Sequence, residues 1–311
     1  MAIDRKQIKG VLILLLTALI WGSSFVAQSV GLENIGTFTF TAVRMLFGAA
    51  VLIPVIIVRE TMARKQKSPT QGTTKKEDLR QTLIGGALLG VVLCIATNLQ
   101  QVALTHSSTG KVAFITTMYI VFVPLIGLFL KKRITVMTWI CVVLGFVGLY
   151  FLCMNGASLG AVNVGDLYAL ACSVAFAAHI LLIERYTDQT DGIKLSCVQF
   201  LTCSAVSAVL MLFFEKPTLA AIGIAIIPLL YSGVMSSGVA YTLQIIGQRY
   251  TSSAMASLVM CMESVFAVLA GALLLSETMT VWEILGCVIL FVAIALPHVT
   301  DLIWNRPKME T

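Results

Sequence analysis

The sequence predicts an all-α integral membrane protein of ten transmembrane helices arranged as two inverted five-helix repeats. Three observations predict it: an apolar excess too large for a water-soluble surface, ten apolar runs of bilayer length, and a one-sided distribution of Lys and Arg between them. Of 311 residues, 58% are hydrophobic and only 12% charged, and the mean hydropathy is +0.95. Soluble domains carry about 25% charged residues because an aqueous surface needs ionised side chains. A soluble enzyme, a secreted disulfide scaffold and a disordered tail are thereby excluded. All eight cysteines lie in apolar runs with no C-x-x-C pair, which reads as small core- or lipid-facing residues.

A hydrocarbon layer about 30 Å thick takes about 20 apolar residues rising 1.5 Å each. Ten such runs occur, at about 11–32, 36–58, 82–104, 111–130, 136–154, 164–183, 195–214, 225–247, 254–275 and 281–299. The first follows Arg5, Lys6 and Lys9 in the manner of a signal peptide, but it is about 22 residues long and nine more spans follow, so it reads as a retained helix. The second contains Arg44, and after it Arg59–Gln81 forms a polar linker with Lys65, Lys67, Pro69 and Lys75, expected to be solvated and cytoplasmic rather than a nucleic-acid arm. The fourth carries Pro124, and Lys131, Lys132 and Arg133 separate it from the fifth. The sixth begins at Gly165-Asp166, an acid complementing a helix N-terminus. The last four are separated by short polar breaks. With the N-terminus in the cytoplasm, eighteen Lys and Arg fall inside and only Lys111 and Lys216 outside. Positive charge is retained on the cytoplasmic side, so both termini are expected there, in the plasma membrane.

At an offset of 144, residues 96–130 pair with 240–274 without a gap, and ten of the 35 positions are identical, among them Gln100/Gln244 and Ser108/Ser252. The register lays span 3 on span 8 and span 4 on span 9, so the halves are residues 1–155 (with the linker 59–81) and 156–311. Five is odd, so the second half enters the bilayer from the opposite side. Two such bundles exchanging conformations open a midplane site to each side in turn.

Several short stretches carry a family resemblance: Trp21-Gly22-Ser23-Ser24-Phe25, Arg44, Gln100-Gln101 before Ser107-Ser108-x-Gly110, Tyr119 and Pro124, Met262-Glu263-Ser264-Val265-Phe266-Ala267, Leu275-Ser276-Glu277, Trp282 and Gly286. With these the chain resembles the EamA-like branch of the drug/metabolite transporter superfamily, ten-helix carriers. The resemblance implies a small metabolite or drug-like solute, often amino acid-like and often moved outward. Where the family commonly has Glu-Pro, this chain has Glu263-Ser264, so no proline kink is expected in span 9.

A charge in hydrocarbon costs about 2.5–3.5 kcal/mol at a helix centre on insertion scales and needs a partner or a cavity. Glu263, mid-span 9, shares a face with Ala267, Ala270 and Gly271 and should face protein. It reads as a substrate-amine or coupling-proton site or as a structural group; Arg44 reads as a carboxylate site or as structural, and their depths differ by roughly 7 Å. The repeat places Tyr119 opposite Glu263, and Trp21 aligns with Phe176 at an offset of 155. Asn98, Gln100, Gln101, Tyr241 and Gln244 need partners across helices or on a ligand, and His179 is a candidate proton shuttle or a packing residue. The candidate substrate-binding set is therefore Trp21, Asn98, Gln100, Tyr119, His179, Tyr241, Gln244 and Glu263, with Arg44 and Glu263 as coupling or structural charges. Gly86-x3-Gly90, Ser232-x3-Ser236 and Ala267-x3-Gly271 read as packing between helices of one chain, and a homodimer has no support in the sequence.

An intramembrane enzyme and a channel are the competing classes. No H-E-x-x-H or P-loop is present, His106 and His298 fall near opposite faces, and one mid-span Glu is poor material for a filter. No cofactor, metal or nucleic acid is expected. The expected partners are a small-molecule substrate, the lipid bilayer and, as candidate coupling ion, a proton.

Overall fold

A computed structural model describes residues 5–66, 74–107, 109–154, 162–188, 190–275 and 279–304. Span 1 is α1 (Arg5–Leu32), span 2 is α2 (Thr37–Gln66) and span 3 is α3 (Thr74–His106). Span 4 comprises α4 (Thr109–Thr117) and α5 (Tyr119–Phe129), and span 5 is α6 (Val136–Met154). Span 6 is α7 (Val164–Thr187), span 7 is α8 (Gly192–Phe214), and the short α9 (Leu219–Ile224) precedes span 8. Span 8 runs through α10 (Ile226–Leu230), a π-helical segment (Tyr231–Tyr241) and α11 (Thr242–Gln248); span 9 comprises α12 (Ser253–Met260) and α13 (Met262–Leu275); span 10 is α14 (Val281–Trp304). Among the described residues nine spans have the length and apolarity to cross a bilayer, and Val281–Leu296 is a shorter apolar stretch of α14.

The expected polar linker is narrower than the sequence suggested. Helix continues through Gln66 and resumes at Thr74, because Glu60, Met62, Ala63, Lys65 and Gln66 are good helix formers once outside the apolar layer. Residues 67–73 lie outside the described residues, as do Ser108 and Ser276-Glu277 of the motifs above.

Spans 2 and 7 pack on each other, as do 5 and 10; span 6 lies against 3 and 4, and span 1 against 8 and 9. Exchanging spans 1–5 for 6–10 leaves this pattern unchanged, as a pseudo-two-fold relation requires. Glycines set the close approaches. A Cβ on Gly86 or Gly90 of α3 would stand 2.5 Å from Val198 Cβ or 2.6 Å from Gln199 O of α8, and Gly148 and Gly286 abut each other's carbonyls where spans 5 and 10 meet. Close backbone contact of this kind replaces hydrophobic driving force between helices in lipid.

Local side chains fix the helix ends. Asn163 and Asp166 form a capping box on α7, and Asp191 accepts from the backbone N–H of Ile193 and Lys194 at α8. The first turn of α2 is capped from the other half: Glu215 accepts from Phe38 N, Thr39 N (both 2.8 Å) and Thr39 Oγ1 (2.6 Å). After span 4 Lys131 adopts φ 59°, and Lys132 N and Lys131 N bond Gly127 O and Leu128 O, closing a Schellman turn. That turn delivers Lys132 to Glu184 of α7 at 2.7 Å.

Candidate functional site

Three spans depart from regular α-helix near the middle. Span 4 breaks at Met118, where Met118 N bonds Ile115 O and Val121 N bonds Met118 O, both three residues back; Pro124 follows in the next turn. Span 9 breaks at Cys261, although it has no proline. Ser264 N bonds Cys261 O, and the Cys261 thiol donates to Leu258 O at 2.8 Å. No proline kink is present in span 9, as its sequence implies; the interruption arises without one. Span 8 widens into the π-helix Tyr231–Tyr241, the kind of distortion that recurs at functional sites.

All three distortions border one cavity, walled by both halves of the chain. Trp21, Gln28 and Arg44 contribute from spans 1 and 2, Gln100, Thr116 and Tyr119 from spans 3 and 4. Phe176, Ile180, Ser236, Tyr241, Gln244, Met260 and Glu263 come from spans 6, 8 and 9. The cavity volume is about 40 Å³, room for roughly three waters.

The repeat-related pair meets here. Tyr119 Oη donates to Glu263 Oε1 at 3.3 Å across the two halves; both residues are buried and each follows the break in its span. Glu263 thus faces protein. Gly22 of α1 makes this approach feasible, since a Cβ there would lie 2.5 Å from Glu263 O and 2.8 Å from Ala267 N.

Arg44 occupies a different wall. Its Nη1 donates to Gln28 Oε1 at 3.0 Å, Gln101 Nε2 donates to the same oxygen at 2.5 Å, and the Phe40 ring centroid lies 5.8 Å from the guanidinium carbon. No ion pair joins Arg44 to Glu263 among the described residues. Trp21 stacks tilted on Tyr241, centroids 4.7 Å apart, and its Nε1–H donates to Ser236 O of the π-helix at 3.2 Å.

Seven of the nine sequence candidates therefore share one cavity: Trp21, Arg44, Gln100, Tyr119, Tyr241, Gln244 and Glu263. Two do not line it. Asn98 turns toward α8 and donates to Ser207 Oγ (2.9 Å) and Cys94 O (2.9 Å). His179 lies behind Tyr241, paired through Nε2 with Gln199 Oε1 at 3.1 Å. Gln28, Thr116, Ile180 and Met260 were not singled out from sequence, and Ser236 was read only as a packing residue. Gln28 sits one turn beyond Ser24 on the face that carries Trp21, and that spacing was a usable signal. Outside the cavity, Asp166 does more than complement a helix dipole: it pairs with Lys111 at 2.6 Å and accepts from Ser107 at 3.0 Å. Glu283 caps α14 through Thr280. All eight cysteines are free thiols, and no metal-holding cluster of His, Cys, Asp or Glu occurs among the described residues.

A bundle of bilayer-length apolar helices that together wall one central cavity has the architecture of a membrane transport protein. The chain belongs to the EamA-like transporter family, whose model matches it twice, over residues 8–154 and 163–297. An uncharacterised transporter of Archaeoglobus fulgidus is 27% identical over 94% of this chain and 86% of its own. One of Clostridium kluyveri is 22% identical, covering 91% of each, and the uncharacterised transporter YoaV of Bacillus subtilis is 24% identical over 91% of this chain and 94% of its own. A solved crystal structure shares the fold with a TM-score of 0.75 at 17% identity, covering 96% of this chain and 99% of its own.

Proposed function

We propose that this transporter is a secondary carrier that exports a small amino acid-like or drug-like metabolite by alternating access at the central cavity, with a proton as coupling ion. Residues 1–155 and 156–311 act as the two repeats, both termini lie in the cytoplasm, and the plasma membrane is the site of action. The observation that carries the reading is the Tyr119–Glu263 hydrogen bond. It joins the two halves at pseudo-equivalent positions, inside the cavity, beside a helix break in each half. A carboxyl there exchanges its proton with whichever side the cavity faces, and its charge state decides what it holds. Breaks at Met118 and Cys261 give each half a place to bend, and small distortions in packed helices serve as hinges.

Glu263→Gln tests the proposal. The amide still accepts from Tyr119 but does not titrate, so proton-driven export in proteoliposomes is lost and the remaining exchange no longer varies with pH. Unaltered transport with unaltered pH dependence would refute the coupling role.

A further inference from the structure

The carrier reading leaves unstated the charge its solute brings, and here the geometry points to an organic anion. A carboxylate or comparable oxyanion supplies the missing counter-charge to Arg44, and Gln28 and Gln101 act as positioning residues for that guanidinium. This inference rests on the carrier reading and selects among its solutes.

Arg44 is 2% exposed, and none of the four ion pairs among the described residues involves it. Among the described residues its one protein hydrogen bond goes to a neutral amide, and Nε is buried with no partner there. A buried cation without a counter-ion is costly. The Gln28 carbonyl takes Nη1 on one side and is itself held by fully buried Gln101, so the guanidinium is fixed along one edge. Nε and Nη2 form the opposite edge, the side-on fork that matches a carboxylate with two parallel hydrogen bonds. Gln244 Oε1, also buried and without a partner, lines the same cavity and awaits a donor. Glu263 is engaged by Tyr119 from another wall, which leaves Arg44 to the solute. A solute that is only cationic would leave Arg44 without a counter-charge, so acids, amino acids included, are the favoured solutes.

The test loads proteoliposomes of the full chain with a small-molecule extract of bacterial cells and identifies effluxed compounds by mass spectrometry against protein-free vesicles. Carboxylate- or oxyanion-bearing compounds should dominate. Efflux dominated by cations or neutral amides would overturn the anion assignment and leave the carrier reading standing; no efflux above protein-free vesicles would overturn both. Gln28→Glu then gives Arg44 a built-in counter-ion. Acid efflux should fall at least about tenfold, as expected for losing charge-assisted hydrogen bonds, while the melting temperature holds or rises. Native acid efflux in this variant, the outcome for a structural Arg44, would contradict the inference. Should Gln28→Glu fail to fold, Gln101→Leu serves: KM for the transported acid rises with little change in maximal rate, and an unchanged KM counts against the positioning role.

Discussion

Gly22→Ala is the smallest perturbation that reaches the centre of the protein. The added methyl would stand 2.5 Å from Glu263 O, 2.8 Å from Ala267 N and 2.8 Å from Phe266 Cβ. Two of these are backbone atoms and cannot rotate away. Ordinary contact begins at 3.4 Å, so α1 and α13 must part by about 0.9 Å along that line. Overpacking of this kind costs about 1–3 kcal/mol. The displaced backbone carries Glu263, whose bond to Tyr119 is already 3.3 Å long, so transport should fall together with stability. Gly223→Ala provides the control, because nothing lies within 4 Å of its Cβ position. Melting of purified protein in detergent, followed by tryptophan fluorescence, and efflux from proteoliposomes should both drop for Gly22→Ala and stay native for Gly223→Ala. A Gly22→Ala protein with native melting and native transport would refute the packing that places Glu263.

Other predictions separate buried from exposed electrostatics. Lys111→Ala leaves Asp166 buried without its cation and should cost about 3 kcal/mol in chemical denaturation. Arg59→Ala, which breaks a pair that is 54% and 32% exposed, should cost less than about 1 kcal/mol; equal losses would contradict the assignment of the Lys111–Asp166 pair to the protein interior. Tyr119→Phe removes the donor to Glu263, so destabilisation of about 1–3 kcal/mol and slowed efflux are expected, and a neutral result would exclude an energetic role for that bond. A green fluorescent protein fused at the C-terminus should fluoresce and alkaline phosphatase fused there should be inactive; the opposite pair of results would reverse the orientation drawn from the eighteen-to-two charge split.

The spans were legible because bilayer length is a coarse and stringent filter. Expected and observed limits agree to within a few residues at Leu32, His106, Phe129 and Phe214. The Tyr119–Glu263 contact was legible too, through the offset of 144, since a pseudo-two-fold axis brings equivalent central positions together. Facing direction was not. Asn98 and His179 lie in helices that are apolar nearly all round, so periodicity does not separate a wall of the cavity from a seam between helices. The break at Cys261 carries no proline, and the π-helix spreads over small residues such as Gly233, Ser236 and Ser237; backbone distortions without a forcing residue leave little trace in a sequence. Gln28 escaped notice for a related reason: its partners Arg44 and Gln101 stand on two other spans, and only the packing brings three side chains to one oxygen.

The central claim is that a cavity walled by both halves serves each side of the bilayer in turn. Counterflow measures this most directly: proteoliposomes preloaded with an acid found in the efflux screen are diluted into a trace of the same labelled acid. The account predicts a transient overshoot of label inside, saturating with concentration and absent from protein-free vesicles. Label that only equilibrates, at a rate rising linearly with concentration, would identify an open pore and contradict it.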